Sequence, residues 1–183
     1  MTKTHITPLM LDLRSLGRHP GEQVVKHLEA PAPADLAVGM IGVPEGSPIV
    51  MDVTCQSAGD GVLVQGVTKV TLTGQCARCL TDFTRDAGYE LSELYFYPGR
   101  GPQPGEDDDD EVDDAFFVVD DYVDLDPALR EAVVLSLPFS PLCRDDCAGL
   151  CPECGANLNE TPGHTHDAPT NARWAKLGEA LTD

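Results

Sequence analysis

Residues 49–74 read IVMDVTCQSAGDGVLVQGVTKVTLTG. Ile49, Met51, Val53 and Cys55 alternate with Val50, Asp52, Thr54 and Gln56. After Gly59-Asp60-Gly61, Val62, Val64, Val70 and Leu72 fall on one parity, with Gly66, Thr68 and Gly74 between them. Leu63, Gln65, Lys69, Thr71 and Thr73 take the other. Period two with one apolar parity is the pattern of antiparallel strands buried on one face, and the glycine pair predicts a turn between them.

Outward from this stretch the chain continues in the same manner. PLMLDL (8–13) is a short apolar segment, GRHPGE (17–22) is turn-like, and QVVKHLE (23–29) follows it. The region 31–48 holds four prolines and three glycines and reads mostly as loop. Downstream, Phe83, Tyr89, Leu91, Tyr95 and Tyr97 predict at least one more strand beyond the segment Cys76-Ala-Arg-Cys79. AFFVVDDYVDL (115–125) predicts another. A short isolated sheet is only marginally stable. The expected fold is therefore α+β: an antiparallel β-rich meander or barrel with one or two helices and a C-terminal tail resembling a zinc knuckle. Asp126 as N-cap and Pro127 as first residue start a helix. Leu129, Ala132, Val133 and Leu137 form its apolar face, and Pro138 ends it. A second short helix is expected near 171–181, with Trp174, Leu177 and Leu181 as an apolar docking face.

Between these elements lies GRGPQPGEDDDDEVDD (99–114), in which eight of the nine residues 106–114 are acidic. Such a run repels itself and reads as a solvated loop; the sharper alternative is a docking loop for a basic partner. Two units result: residues 1–142, β-rich with the acidic loop, and residues 143–183, a cysteine-rich metal-binding tail with a short helix.

The formal net charge is −19, from 12 basic and 31 acidic residues. Gripping a nucleic-acid backbone takes lysine and arginine to neutralise phosphates, so a tight direct hold on RNA or DNA is disfavoured and a basic protein partner is electrostatically easier. The apolar runs are too short to span a membrane. Asp12 and Arg14 interrupt the N-terminal stretch where a signal peptide would need its apolar segment. A cytoplasmic protein is expected. No G-x-S-x-G, P-loop, H-E-x-x-H or dinucleotide fingerprint occurs in the sequence, which argues against an enzyme and against a small-molecule substrate.

The chemistry-bearing residues are the cysteines, seven in number. In a reducing compartment clustered cysteines favour metal ligation over disulfides, and an odd count fits a closed disulfide framework poorly. PLCRDDCAGLCPECGANLNETPGHTH (141–166) holds Cys143, Cys147, Cys151 and Cys154, then His164 and His166. Cys151-Pro-Glu-Cys154-Gly is its strongest unit: two cysteines two residues apart place both thiolates on one ion, and the glycine lets the backbone turn sharply. A structural zinc takes four ligands. Three sets satisfy this: Cys143, Cys147, Cys151 and Cys154; Cys151, Cys154, His164 and His166; or Cys151 and Cys154 with Cys76 and Cys79. The thioredoxin-like reading of Cys76 and Cys79 needs a βαβ context that the β pattern does not offer. Cys55 reads as a core residue. Four protein ligands leave no position for a substrate water, so the metal is expected to be structural.

GQCARCLTDF (74–83), DLDPALREAVVLSLPFSPLC (124–143) and DDCAGLCPECGANLNE (145–160) together resemble the DUF177 or YceD family of bacteria and plastids. The resemblance runs from about residue 9 to 181. It implies that a C-x-C pair often found after the asparagine-rich turn is represented here by His164 and His166. It also implies that the metal is not essential to the common role, since other branches lack the C-terminal cysteines. That role would be accumulation of large-subunit (23S) ribosomal RNA, hence a non-catalytic ribosome-assembly factor acting on a basic ribosomal protein or pre-ribosomal particle. The alternative is a zinc-knuckle protein that contacts precursor rRNA directly.

Overall fold

The computed structural model describes residues 7–101 and 115–166. Nine strands are found among them: β1 (Met10–Asp12), β2 (Gln23–Pro31), β3 (Ala37–Val38), β4 (Ile41–Gly42), β5 (Pro48–Ser57), β6 (Gly61–Gln75), β7 (Asp82–Phe96), β8 (Phe116–Phe117) and β9 (Tyr122–Asp124). One helix, α1 (Asp126–Val134), follows them.

Apolar alternation sets the main sheet. β6 pairs antiparallel with β5, from Val50↔Lys69 to Ser57↔Val62, and along its whole length with β7, from Gly61↔Phe96 to Gln75↔Asp82. β2 lies outside β5, and β4 pairs with the far end of β6. The register puts the apolar parity of every strand on one face. Ile49, Met51, Val53 and Cys55, then Val62, Val64, Val70 and Leu72, and Leu91 and Tyr95 are all buried. Gly66 is required by the close approach of β5, because a Cβ there would lie 2.2 Å from the Asp52 carbonyl oxygen. The other face keeps Asp52, Gln65, Lys69 and Glu90 in solvent.

The buried face is covered by α1 and by a small second sheet in which β1 pairs antiparallel with β9. Leu129 and Val133 of the helix and Leu11 and Val123 of the small sheet are buried in the same core. The Tyr95 hydroxyl crosses this layer and donates to the Asp124 carbonyl at 3.0 Å. Of the two forms expected from the sequence, the meander is the one found: among the described residues no pairing closes β2 onto β7 or β8, so the sheet is open and not a barrel. The helix packed on one face does what closure would have done, removing the apolar face from water.

Two local expectations are corrected. Residues 115–125 form two short strands instead of one, since Asp120 and Asp121 both take left-handed backbone, φ 52° and 63°, and turn the chain between them. The helix N-cap is Leu125 and not Asp126. Asp124 Oδ1 accepts the Asp126 N–H at 3.0 Å, while Asp126 Oδ2 accepts from Arg130 Nε at 2.9 Å. The expected helix at 171–181 and most of the acidic loop lie outside the described residues. Among those described, no helix is long and apolar enough to cross a membrane.

Candidate metal centres

The β6–β7 hairpin closes through Cys76-Ala77-Arg78-Cys79. Its turn is fixed by two backbone bonds: the Leu80 N–H donates to the Cys76 carbonyl at 2.9 Å, and the Cys76 N–H to the Thr81 carbonyl at 2.9 Å. Leu80 takes φ 58° to do so. Cys151-Pro152-Glu153-Cys154 repeats the arrangement. The Gly155 N–H donates to the Cys151 carbonyl at 2.9 Å, the Cys151 N–H to the Ala156 carbonyl at 2.8 Å, and Gly155 takes φ 74°. The two segments are the same turn built twice.

Each turn presents two sulfur atoms to a further pair of ligands. The segment after α1 docks on the hairpin tip, with the Ala77 N–H donating to the Pro141 carbonyl at 2.8 Å. That contact brings Cys143 and Cys147 to Cys76 and Cys79. Cys76 Sγ lies 3.7 Å from Cys147 Sγ, and Cys79 Sγ lies 3.6 Å from Cys143 Sγ. At the second turn Cys154 Sγ lies 3.2 Å from both His164 Nε2 and His166 Nε2, which are 2.8 Å apart. In each group of four, all ligand atoms lie within 4.8 Å of one another.

These distances test the fit of a metal. A tetrahedron with zinc–sulfur arms of about 2.3 Å has edges of about 3.8 Å, and the first group matches it. A disulfide would need its sulfurs about 2.05 Å apart, so the four thiols converge on a point without being joined. The imidazole pair is drawn closer than the edge of about 3.3 Å expected from zinc–nitrogen arms near 2.0 Å. Glu153 Oε2 stands 3.6 Å from His166 Nδ1, near enough for electrostatic attraction but too far for a hydrogen bond.

The electrostatics agree. Burial raises the Cys76 thiol, but the N–H groups of Cys143, Cys79 and Arg78 outweigh it and bring it down to about 6. The Thr81 hydroxyl and N–H lower Cys79. Burial and the neighbouring thiols of Cys79, Cys147 and Cys76 raise Cys143. Four thiolates would repel one another here, and a dication held between them would offset that repulsion. The N–H groups of Cys154 and Glu153 bring Cys151 down to about 6 against burial. Cys55, by contrast, is pushed up to about 11 by burial in the sheet core, as befits a packing residue.

Cys143 and Cys147 thus meet Cys76 and Cys79, while Cys151 and Cys154 meet His164 and His166. The C-terminal cysteines are divided between the groups, not gathered in one. The grouping of Cys76 and Cys79 with Cys143 and Cys147 is outside the three sets drawn from spacing, and 64 residues separate Cys79 from Cys143. The repeated turn carries the signal, hidden because Leu80 stands where the other turn has glycine. The first group is the more enclosed: Cys76, Cys79 and Cys147 are buried, Cys154 and His166 exposed.

Residues 64–179 match the family described as large ribosomal RNA subunit accumulation protein YceD. The chain belongs to the YceD family. It is 39% identical over 175 residues to an uncharacterized protein of Mycobacterium tuberculosis, spanning 96% of this chain and 82% of that relative. An uncharacterized protein of Mycobacterium leprae is 35% identical over 181 residues, spanning 98% and 81%. A maize protein named chloroplastic large ribosomal RNA subunit accumulation protein YCED homolog 1 is 36% identical over 50 residues, 27% of this chain and 17% of its own length. No solved structure matches the chain. The YceD match includes both cysteine turns, so the two candidate centres sit inside the family region.

Proposed function

We propose that this YceD protein is a non-catalytic ribosome-assembly factor that supports accumulation of large-subunit rRNA, and that two structural zinc ions shape its C-terminal tail. The observation that carries the metal reading is the convergence of two complete four-ligand sets, each with its own cysteine turn. Cys76, Cys79, Cys143 and Cys147 would hold one ion, and Cys151, Cys154, His164 and His166 the other. Zinc would neutralise the thiolates and cross-link the backbone; with four protein ligands it keeps no position for a substrate water. Residues 1–142 then form the body, and the Cys76–Cys79 turn receives the tail that begins at Cys143.

The family supplies the ribosomal context, and the charge supplies the partner class. A net charge of −19 favours a basic ribosomal protein, free or on a precursor particle, over bare RNA. The full-length tagged protein captured from lysate at low salt should retain large-subunit components and release them at high salt. Retention of naked precursor rRNA after removal of protein partners would instead favour direct RNA binding, and recovery of no large-subunit component would sink both.

A further inference from the structure

The two candidate centres are bridged by one side chain. Asn159 lies between Cys154 and His164, in the loop that the second centre closes. Its Nδ2 donates to Cys147 Sγ, a ligand atom of the first centre, at 3.4 Å. The same amide is held from several sides. Nδ2 also donates to Asn157 Oδ1 at 2.8 Å, and Oδ1 accepts from the Ala148 N–H and from Arg144 Nη2, each at 2.8 Å. The Asn159 N–H donates to Asn157 Oδ1 at 3.1 Å. Both hydrogens and the oxygen of the amide are therefore committed, which fixes its orientation.

We propose that Asn159 is a positioning residue that couples the two metal centres, so that loading of Cys151, Cys154, His164 and His166 strengthens metal binding at Cys76, Cys79, Cys143 and Cys147. The inference rests on the two-zinc reading above. The physical reason is that an N–H donor to a thiolate stabilises its charge, and such supporting bonds typically carry 10–100-fold in metal affinity. The donor here is delivered by a loop spanning two ligands of the other centre. When that centre is empty, residues 155–163 lose the anchor at His164 and His166, and the approach of the amide to Cys147 rests on its bonds with Arg144, Ala148 and Asn157 alone and is held less closely. Other ties of this loop, Leu158 N–H to the Gly149 carbonyl at 2.9 Å, Cys151 N–H to the Ala156 carbonyl at 2.8 Å and the bridge between Leu150 and Asn157, join backbone and do not touch a ligand sulfur.

The test uses full-length protein loaded with zinc and titrated with a chromophoric chelator. Cobalt substitution tells the centres apart, because thiolate-to-metal charge-transfer absorption is stronger for four thiolates than for two. Wild type should bind two ions. Asn159→Ala should still bind two, with the four-cysteine centre weakened about tenfold. Asn159→Asp, which keeps the oxygen acceptor and loses the donor, should be weakened as well. His164→Ala/His166→Ala should bind one ion, weakened to a similar degree at the four-cysteine centre. Combining it with Asn159→Ala should give no further loss, since residues acting through one contact are not additive. Two ions in wild type with additive losses, or with an unweakened four-cysteine centre in Asn159→Ala, overturn the coupling alone. Fewer than two ions in correctly folded wild type overturns the two-centre reading and the coupling with it.

Discussion

Leu80 and Gly155 hold the same place in two copies of one turn: each follows the second cysteine, takes positive φ, and donates its N–H to the first cysteine's carbonyl at 2.9 Å. For a residue with a Cβ the left-handed region costs about 1–2 kcal/mol. Leu80 is about half exposed, with relative exposure of 53%, so little packing offsets that cost. Leu80→Gly should be neutral or stabilising by up to about 1 kcal/mol, after the added freedom of the unfolded chain is subtracted. Gly155→Ala should weaken metal binding at the second centre by roughly tenfold, corresponding to about 1.4 kcal/mol. Chelator competition on both variants checks the contrast in sign.

Metal removal should separate the tail from the body. Cys76, Cys79 and Cys147 form a small buried cluster with Leu142, Cys143 and Leu150, and among the described residues Phe83 is the side chain that packs against both this cluster and the main core. Chelation should abolish protection from hydrogen exchange in residues 141–166 and leave β5, β6 and β7 protected. Loss of protection throughout the sheet at the same chelator concentration would contradict this.

Within the sheet, the helix contact is the sensitive one. Leu129 is fully buried against the main core. Leu129→Ala should destabilise the body by about 2–5 kcal/mol through lost burial and the cavity left behind. Tyr95→Phe removes only the bond to the Asp124 carbonyl and should cost about 1 kcal/mol. Urea denaturation of the two variants should rank them in that order.

These core positions were readable before the fold was known, because alternation needs no knowledge of partners. Ile49, Met51, Val53 and Cys55 could only face one way together. The helix face at Leu129 and Val133 was legible for the same reason, but the helix ends at Val134, so Leu137 is buried from beyond it and Pro138 is not what stops it. The split at Asp120 and Asp121 was not, since two aspartates in left-handed backbone look like any polar pair in an apolar run. The convergence of candidate ligands was legible where they are neighbours in sequence, as with Cys154 and His164. It was not legible where the hairpin tip supplies half the set, because Cys76 and Cys147 are 71 positions apart and only the sheet brings them together.

On the solvent face of the sheet, His27 Nδ1 meets Asp52 Oδ1 at 2.7 Å, and Lys69 Nζ meets Asp52 Oδ2 at 3.2 Å. The Asp52 hydrogen bond, then that of Glu29, raises His27 above its ordinary 6.5, and His27 with Lys69 lowers Asp52 below 3.8. A raised histidine stabilises the fold fully below about pH 6.5 and loses that contribution as pH rises through its folded value. A lowered aspartate contributes above about pH 3.8 and loses it as pH falls through its folded value. The pair is therefore strongest in mildly acidic solution. Nuclear magnetic resonance titration should place the His27 midpoint above 6.5 in the wild type and lower in Asp52→Asn.

The placement of Cys76 and Cys79 at a hairpin tip has a consequence for how the chain is made. A ribosome finishes that hairpin while Cys143 and Cys147 are still untranslated, and domains form in the order their residues emerge. For that interval the tip is half a coordination sphere, two thiols with no partners. Only a chain translated past residue 147 can complete it, and the later turn then closes within its own 16 residues, from Cys151 to His166. A body cut short before Cys143 would therefore display an open pair of thiols at the hairpin tip, where the complete chain brings four together.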